Sequence, residues 1–250
     1  MTEEAIPCIE LDGKTIPFSA GDSIMQAATQ AGVYIPHLCH HPDVSPHGSC
    51  RVCIVKVNGR VQASCITPAE EGAVVESECD EIRQLRKRLI QMLFVEGNHF
   101  CPSCEMSGQC QLQALAYDLK MLDTHFDHFY PNRVIDCTHP DIILDRDRCI
   151  NCDLCVRASA QIDNKQALSL GGRGQHTQLQ ANCESGLLKD SGLDSQDKAM
   201  HICPVGALLP KNNHYPQITG ERLYDKAPIS EIGNVRPDNE KTQTTKGPSK

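Results

Sequence analysis

The fifteen cysteines of this 250-residue chain constrain its fold more than any other feature. Such enrichment in cysteine indicates disulfides, metal ligands or redox-active thiols. The N-terminal residues 1–7 show no basic region followed by an apolar one, so we expect no secretory signal. No run of apolar residues approaches the 18 that a membrane span needs. We therefore predict a cytoplasmic chain, in which closely spaced cysteines bind metal ions or iron-sulfur clusters rather than forming disulfides.

The first group of cysteines has the spacing C-x10-C-x2-C-x11-C and comprises Cys39, Cys50, Cys53 and Cys65. A [2Fe-2S] cluster needs two thiolates on each iron, and a Cys-x2-Cys pair with two remote partners supplies them. The surrounding loop is rich in Pro, Gly and Ser, which break regular structure and leave backbone N–H groups accessible. A structural zinc site also accepts four thiolates and stays open as the alternative.

The second group has the spacing C-x2-C-x5-C and comprises Cys101, Cys104 and Cys110. Three thiolates leave one iron of a cubane cluster without a ligand, and a neutral imidazole can fill that position because histidine replaces cysteine at some cluster irons. His99, two residues before the first cysteine, is the candidate. The alternative interpretation of His99 is an ordinary solvent-exposed loop histidine.

The third group has the spacing C-x2-C-x2-C-x47-C-P and comprises Cys149, Cys152, Cys155 and Cys203. Bacterial ferredoxins use C-x2-C-x2-C-x3-C-P, in which the fourth cysteine binds a different cluster. Ser159 occupies that position here, so a remote cysteine must complete the set. We favour Cys203, which precedes a proline, over Cys183, which does not. The remaining cysteines, Cys8, Cys79, Cys137 and Cys183, are predicted to be ordinary thiols.

Local signals predict an α+β chain in four parts. Residues 1–78 have the order strand, strand, helix, strands, which is typical of a β-grasp [2Fe-2S] ferredoxin domain. Residues 79–136 are predicted to form a helical [4Fe-4S] module with one His and three Cys ligands, and residues 137–209 a ferredoxin-like [4Fe-4S] module. Residues 210–250 are polar and rich in Pro and Gly, and we expect an extended arm to about 235 followed by a mobile tail.

In the first part, Asp12-Gly13 and Asn58-Gly59 are each predicted to close a hairpin. The helix between these hairpins is expected to begin near Ser23, with Asp22 as its N-cap. In the second part, apolar residues recur at spacings of three and four from Asp80 to Val95 and predict a longer helix.

The composition excludes several classes of function. The net charge of −8 and the small number of aromatic residues argue against nucleic-acid binding. No G-x-G-x-x-G fingerprint is present, so no NAD or flavin is expected on this chain, and no catalytic residue is predicted because nucleophile-elbow and zinc-protease motifs are also missing. The predicted cofactors, one [2Fe-2S] and two [4Fe-4S] clusters, would therefore carry the chemistry.

Five segments together carry a resemblance that covers about residues 5 to 225. They read YIPHLCHHP, GSCRVCIVKVNG, EGNHFCPSCEMSGQCQLQ, RCINCDLCVRA and CPVGALLPK. In this order they resemble the N-terminal iron-sulfur region that the large peripheral-arm subunit of respiratory complex I shares with the iron-only hydrogenases. The sequence is most similar to the family of diaphorase small subunits of bidirectional NAD-reducing nickel-iron hydrogenases. The complex I pattern has its histidine four residues before the first cysteine of the second group, whereas His99 lies two residues before it.

The resemblance implies that the first group holds the [2Fe-2S] cluster, that His99 and the second group hold one [4Fe-4S] cluster, and that the third group with Cys203 holds the other. It also implies a role as a non-catalytic electron-transfer subunit. Electrons would pass between a flavin-containing NADH-oxidising subunit and a hydrogenase small subunit, and through the latter to the nickel-iron large subunit.

Three other functions stay open at this point. The same module could belong to an NAD-dependent formate dehydrogenase or a complex I-type enzyme. A zinc-bearing scaffold protein would use the same thiolates without redox chemistry. A free soluble ferredoxin would carry the same clusters without stable partners.

Overall fold

The computed structural model describes residues 6–211 and 217–234. Its first part contains a five-stranded mixed sheet with the strand order β2-β1-β5-β3-β4, in which only the β1–β5 pair is parallel. The five strands are β1 (Cys8–Leu11), β2 (Lys14–Pro17), β3 (Ile54–Val57), β4 (Arg60–Ala63) and β5 (Val74–Glu76). Both predicted hairpins are confirmed, and Asp12-Gly13 and Asn58-Gly59 adopt the positive φ angles that such two-residue turns need.

Helix α1 (Ile24–Gln30) buries Ile24, Met25, Ala27 and Ala28 in the core of this first part. Its N-cap is Ser23, so the prediction of Asp22 was wrong by one residue. The Ser23 hydroxyl accepts the N–H of Gln26 at 3.2 Å, and the Gln26 side chain accepts the N–H of Ser23 at 2.8 Å. This reciprocal capping box satisfies two backbone donors at once, while the Asp22 carboxylate accepts the N–H of Ser19 instead.

The second part contains α2 (Asp80–Val95), which has the predicted bounds, and α3 (Gln111–Asp118). Arg86 of α2 is fully buried and ties this helix to the first part. Its guanidinium donates to the backbone oxygens of Ser77 at 2.9 Å and Ile54 at 2.8 Å. A buried guanidinium needs such acceptors, so α2 is fixed directly beside strand β3.

The third part contains two short two-stranded sheets and two helices. Strands β6 and β9 pair antiparallel, as do β7 and β8. The elements are β6 (Ile142–Leu144), α4 (Leu154–Gln161), β7 (Leu168–Gly171), β8 (Gln178–Ala181), α5 (Lys198–His201) and β9 (Leu208–Pro210).

The region expected to form an extended arm contains two short helices, α6 (Leu223–Lys226) and α7 (Ile229–Ile232). Ile229 is fully buried in the core that the second and third parts share. The Asn234 amide donates to the backbone oxygen of His37 and to the Gln111 side chain, both at 2.8 Å. Residues 217–234 thus join the first part to α3, and the tail predicted beyond them lies outside the described residues.

Two hydrophobic cores organise the chain. One lies within the first part, between α1 and the sheet. The other joins the second and third parts and also takes in Leu38, Val44 and Val52 from the loops around the first cysteine group. The cysteine-bearing loops of the first part therefore pack buried side chains against the rest of the chain. Within the described residues, no helix combines the length and apolar character that crossing a membrane requires.

Candidate iron-sulfur sites

The first site brings together all four cysteines of the first group. Cys39, Cys53 and Cys65 are at most 1% exposed, and Cys50 is half-buried. The backbone N–H of Cys50 donates to the sulfur of Cys39 at 3.5 Å, and the sulfurs of Cys53 and Cys65 lie 3.4 Å apart. The four thiols thus form two adjacent pairs, which matches the two thiolates per iron that a [2Fe-2S] cluster requires.

The hydrogen bonds within these pairs divide the thiols into two kinds. The Cys50 thiol lowers the pKa of Cys39 to about 5, and the Cys65 thiol lowers the pKa of Cys53 to about 7. The same bonds raise the pKa values of Cys50 and Cys65. A bound metal would supply the positive charge that holds all four thiols as thiolates. The chemistry of this donor set fits a metal-thiolate group.

The second site brings His99 together with all three cysteines of the second group around one cavity. Cys101 is the first residue of a short turn of 3-10 helix, and Cys110 is the N-cap of α3. The Nε2 atom of His99 is buried and has no hydrogen-bond partner among the described residues. Burial lowers the pKa of His99 to about 4, against a hydrogen bond to the backbone of Leu93 that raises it.

These observations test whether the second site suits a cubane cluster. A buried polar atom without a partner costs free energy, so the unpartnered Nε2 of His99, a residue that lines the cavity, fits a ligand position. A neutral imidazole is the form that binds metal, and a hydrogen bond from its other nitrogen is typical of a metal-ligating histidine. The donor set of one imidazole and three thiols therefore fits a [4Fe-4S] cluster.

The third site brings Cys149, Cys152, Cys155 and Cys203 together around a second cavity, which is lined mainly by apolar side chains. Burial raises the pKa of Cys149 to about 11 and raises those of Cys152 and Cys155 well above the ordinary value. Buried thiols of this kind become ligands only when a metal ion compensates the thiolate charges. The donor set of four thiols around an apolar cavity fits a [4Fe-4S] cluster.

Cys183, the rival fourth ligand, is not among the residues that line the third cavity. Its sulfur donates to the backbone oxygen of Leu187 at 3.3 Å. The other three cysteines outside the sites lie apart from one another in the fold: Cys8 in β1, Cys79 at the N-cap of α2, and Cys137 on the surface.

Arg157 connects the first site to the third. It lies on α4, two residues after Cys155, and is 7% exposed. Its guanidinium donates to the backbone oxygen of Cys39 at 2.7 Å and to that of Cys152 at 3.4 Å. The hydroxyl of Ser49 also reaches the Cys152 oxygen, at 3.5 Å. The loops of the first and third sites are therefore in direct hydrogen-bonded contact.

Arg148 and Gly206 connect the third site to the second. Arg148 directly precedes Cys149, and its Nη1 donates to the sulfur of Cys104 at 3.7 Å. Gly206 follows the Cys203-Pro204 pair, and a Cβ atom there would lie 3.2 Å from the same sulfur. The third site is thus in contact with both of the other sites. Sequence reasoning did not single out Arg148, Arg157 or Gly206, although all three lie in the motifs RCINCDLCVRA and CPVGAL.

Three protein families match consecutive parts of the chain. The family described as a 2Fe-2S iron-sulfur cluster binding domain matches residues 8–79. The NADH-ubiquinone oxidoreductase-G iron-sulfur binding region matches residues 86–125, and the ferredoxin-like domain of NADH-quinone oxidoreductase subunit 3 matches residues 139–209. The chain therefore carries one 2Fe-2S ferredoxin domain and 4Fe-4S binding regions.

Comparison with individual proteins gives relatives of similar and of greater length. The chain is 40% identical to the NAD-reducing hydrogenase HoxS subunit gamma of Cupriavidus necator, over 87% of this chain and 92% of that protein. It is 30% identical to the mitochondrial NADH-ubiquinone oxidoreductase 78 kDa subunit of Candida albicans, over 81% of this chain but only 28% of that protein. A crystal structure of an NAD+-reducing [NiFe]-hydrogenase in the H2-reduced state contains a chain with a TM-score of 0.89 and 50% identity. That match covers 92% of the present chain and 98% of the other.

Proposed function

Since this chain belongs to the family of gamma subunits of NAD-reducing hydrogenases, an iron-sulfur electron-relay family, we propose that it carries electrons between a flavin-containing NADH-oxidising subunit and a hydrogenase small subunit. Through the small subunit the electrons would reach or leave the nickel-iron large subunit. The observation that carries this proposal is the direct contact of three thiol-rich sites within one folded chain. In this complex the chain would be a relay without a catalytic residue of its own.

We propose that the chain holds one [2Fe-2S] and two [4Fe-4S] clusters, which supply one-electron transfer when bound. Cys39, Cys50, Cys53 and Cys65 would hold the [2Fe-2S] cluster. His99, Cys101, Cys104 and Cys110 would hold one [4Fe-4S] cluster, and Cys149, Cys152, Cys155 and Cys203 the other. The unpartnered Nε2 of His99 and the absence of Cys183 from the lining of the third cavity support these sets.

The contacts between loops support a spatial order that differs from the order in the sequence. Arg157 joins the loops of the first and third sites, and Arg148 joins those of the third and second. We infer that the third site is the middle of the relay and that the first and second are its two ends. In this arrangement the guanidinium contacts of Arg157, which is buried, and of Arg148, which is partly buried, would hold neighbouring sites at fixed separations.

The same proposal assigns the chain to the cytoplasm, where reducing conditions keep ligand thiols from forming disulfides. A formate dehydrogenase or a complex I-type enzyme remains the second candidate, because the chain also matches complex I subunits over 81% of its length. It spans less than a third of those proteins, however, whereas it spans 92% of the hydrogenase subunit gamma.

Native mass spectrometry of the complex purified from its own cells tests the proposal. We expect the chain to co-purify with a flavin-containing subunit and with a pair of subunits that contains nickel. A stable complex without nickel would contradict the hydrogenase assignment. A stable monomer that shuttles electrons unaided would favour a free ferredoxin.

A further inference from the structure

The Arg148 side chain is a positively charged group in direct contact with a thiol of the second site. It leaves the backbone next to Cys149, in the third site, but its guanidinium lies on the wall of the second cavity. Nη1 donates to the sulfur of Cys104 at 3.7 Å and to the backbone oxygen of Gly206 at 3.5 Å. The side chain is only 23% exposed, so solvent screens its charge incompletely.

Two carboxylates oppose this charge. Glu105, the residue after Cys104, accepts from Nη1 at 2.6 Å, and Asp145 accepts from Nε at 2.8 Å. Glu105 and the Cys104 sulfur thus share the same guanidinium nitrogen as donor. The electrostatic field at the second site therefore depends on the relative strength of two hydrogen bonds from Arg148 Nη1, one to the Cys104 sulfur and one to the Glu105 carboxylate.

Reduction adds one negative charge to a cluster, so a nearby positive charge stabilises the reduced form and a nearby negative charge destabilises it. Hydrogen bonds to ligand sulfurs act in the same direction as a positive charge, because they withdraw electron density from the thiolate. We propose that Arg148 and Glu105 are a pair of tuning residues with opposite signs, which shift the reduction potential of the second site in opposite directions. Arg148 raises this potential and Glu105 lowers it.

This inference rests on the proposed function only in requiring that Cys104 binds a [4Fe-4S] cluster. It adds that residues outside the ligand set determine how readily electrons reach the second site from the third. Because Arg148 starts in one site and ends in the other, the relative potential of the two neighbouring sites depends on this side chain.

Redox titration followed by electron paramagnetic resonance, on the full chain within its purified complex, tests the pair. The signal of the second site is first identified as the one lost in Cys104→Ser. In Arg148→Gln we expect this signal to titrate at a more negative potential, with about a tenfold lower ratio of reduced to oxidised protein at a fixed applied potential. In Glu105→Gln we expect a shift of opposite sign. The signal of the third site should move less in both variants.

Three further measurements separate electrostatic tuning from structural damage. Arg148→Lys keeps the charge but loses the guanidinium fork, so it should give a smaller negative shift than Arg148→Gln. Arg83→Gln, which removes an arginine paired with Glu78 far from the second site, should give no shift. Iron content is measured for every variant. If Arg148→Gln loses iron, Glu105→Gln alone decides the sign.

Shifts of the same sign in Arg148→Gln and Glu105→Gln, or an unchanged potential with the iron retained, would overturn the tuning role and leave the cluster assignment intact. If no signal of the unaltered complex is lost in Cys104→Ser, both the ligand assignment and the tuning role are wrong.

Discussion

The second and third sites have similar donor sets in different surroundings. Three of the four thiols of the third site are buried, and its cavity is lined mainly by apolar residues from β7, β8 and the 203–208 segment. The second site lies in a loop in which Pro102 and Ser103 are exposed, and its cavity includes Ser107, Gln113 and Arg148. The third site is therefore assembled by the tertiary fold, and the second site is assembled largely by residues close together in the sequence.

This difference in surroundings is consistent with the different ligand sets proposed for the two sites. Four thiolates in these apolar surroundings, three of them buried, would depend on a bound cluster for charge compensation. The second site has one thiolate fewer, a neutral imidazole in its place, and a guanidinium beside Cys104. In the proposed order of the relay, the partly exposed second site is an end and would exchange electrons with a partner subunit.

The largest effect is expected at Cys203, the remote cysteine that the tertiary fold brings to the third site. Cys203→Ser should remove about four irons per chain, because it leaves the other three thiols of the site without their fourth partner. Iron analysis and electron paramagnetic resonance measure this loss. Cys183→Ser is the matched control and should keep its full iron content, because that thiol contacts Leu187 outside the cavity. The reverse pattern would show that Cys183 is the ligand.

Substitution of His99 tests the ligand set of the second site. His99→Ala should weaken or abolish the cluster signal of the second site while leaving that of the third unchanged. His99→Cys should retain a cluster with a more negative potential, because a thiolate adds the negative charge that imidazole lacks. An unchanged signal in His99→Ala would remove histidine from the ligand set.

The second and third sites can also be compared in the unaltered protein by their resistance to oxidation. When the purified chain is treated with ferricyanide and a chelator, we expect the signal of the second site to decay before that of the third. The exposed loop at 102–103 gives reagents access to the second site, and burial protects Cys152, Cys155 and Cys203. Earlier decay of the third signal would contradict the difference in exposure.

The smallest effect is expected at Gly206, where the second and third sites are in contact. In Gly206→Ala the new methyl group would lie 3.1 Å from Met106 and 3.2 Å from the Cys104 sulfur, so these neighbours must shift by a few tenths of an ångström. We expect destabilisation of about 1 kcal/mol, at the low end for overpacking. The line shape of the second signal should change although Gly206 belongs to the sequence motif of the third. A change confined to the third signal would argue against this contact.

The sequence predicts the members of each site better than the arrangement of the sites. Spacings such as C-x2-C-x2-C constrain which thiols can meet, because ligands of one cluster must lie close together, and the structure brings all the predicted residues together in their groups. The spatial order depends on hydrogen bonds between distant segments, such as the one from Arg157 to Cys39, and no spacing encodes these.

Two local features differ from their predictions: the N-cap of α1, and the helices α6 and α7 in the region expected to be an extended arm. Ser23 and Asp22 are both good N-caps, and the choice is made by the Gln26 side chain, which completes a capping box only with Ser23. The helices α6 and α7 have four residues each, too few for a periodic pattern to be visible. They are stabilised by packing of Ile229 into a core that lies mostly elsewhere in the sequence.

Elemental analysis of the natively purified chain tests the central claim most directly, namely that all three sites hold iron-sulfur clusters. We predict roughly ten irons and an equal amount of acid-labile sulfide per chain, with visible charge-transfer absorption. Two or three zinc ions per chain, without sulfide and without visible absorption, would contradict the account and indicate a structural zinc protein.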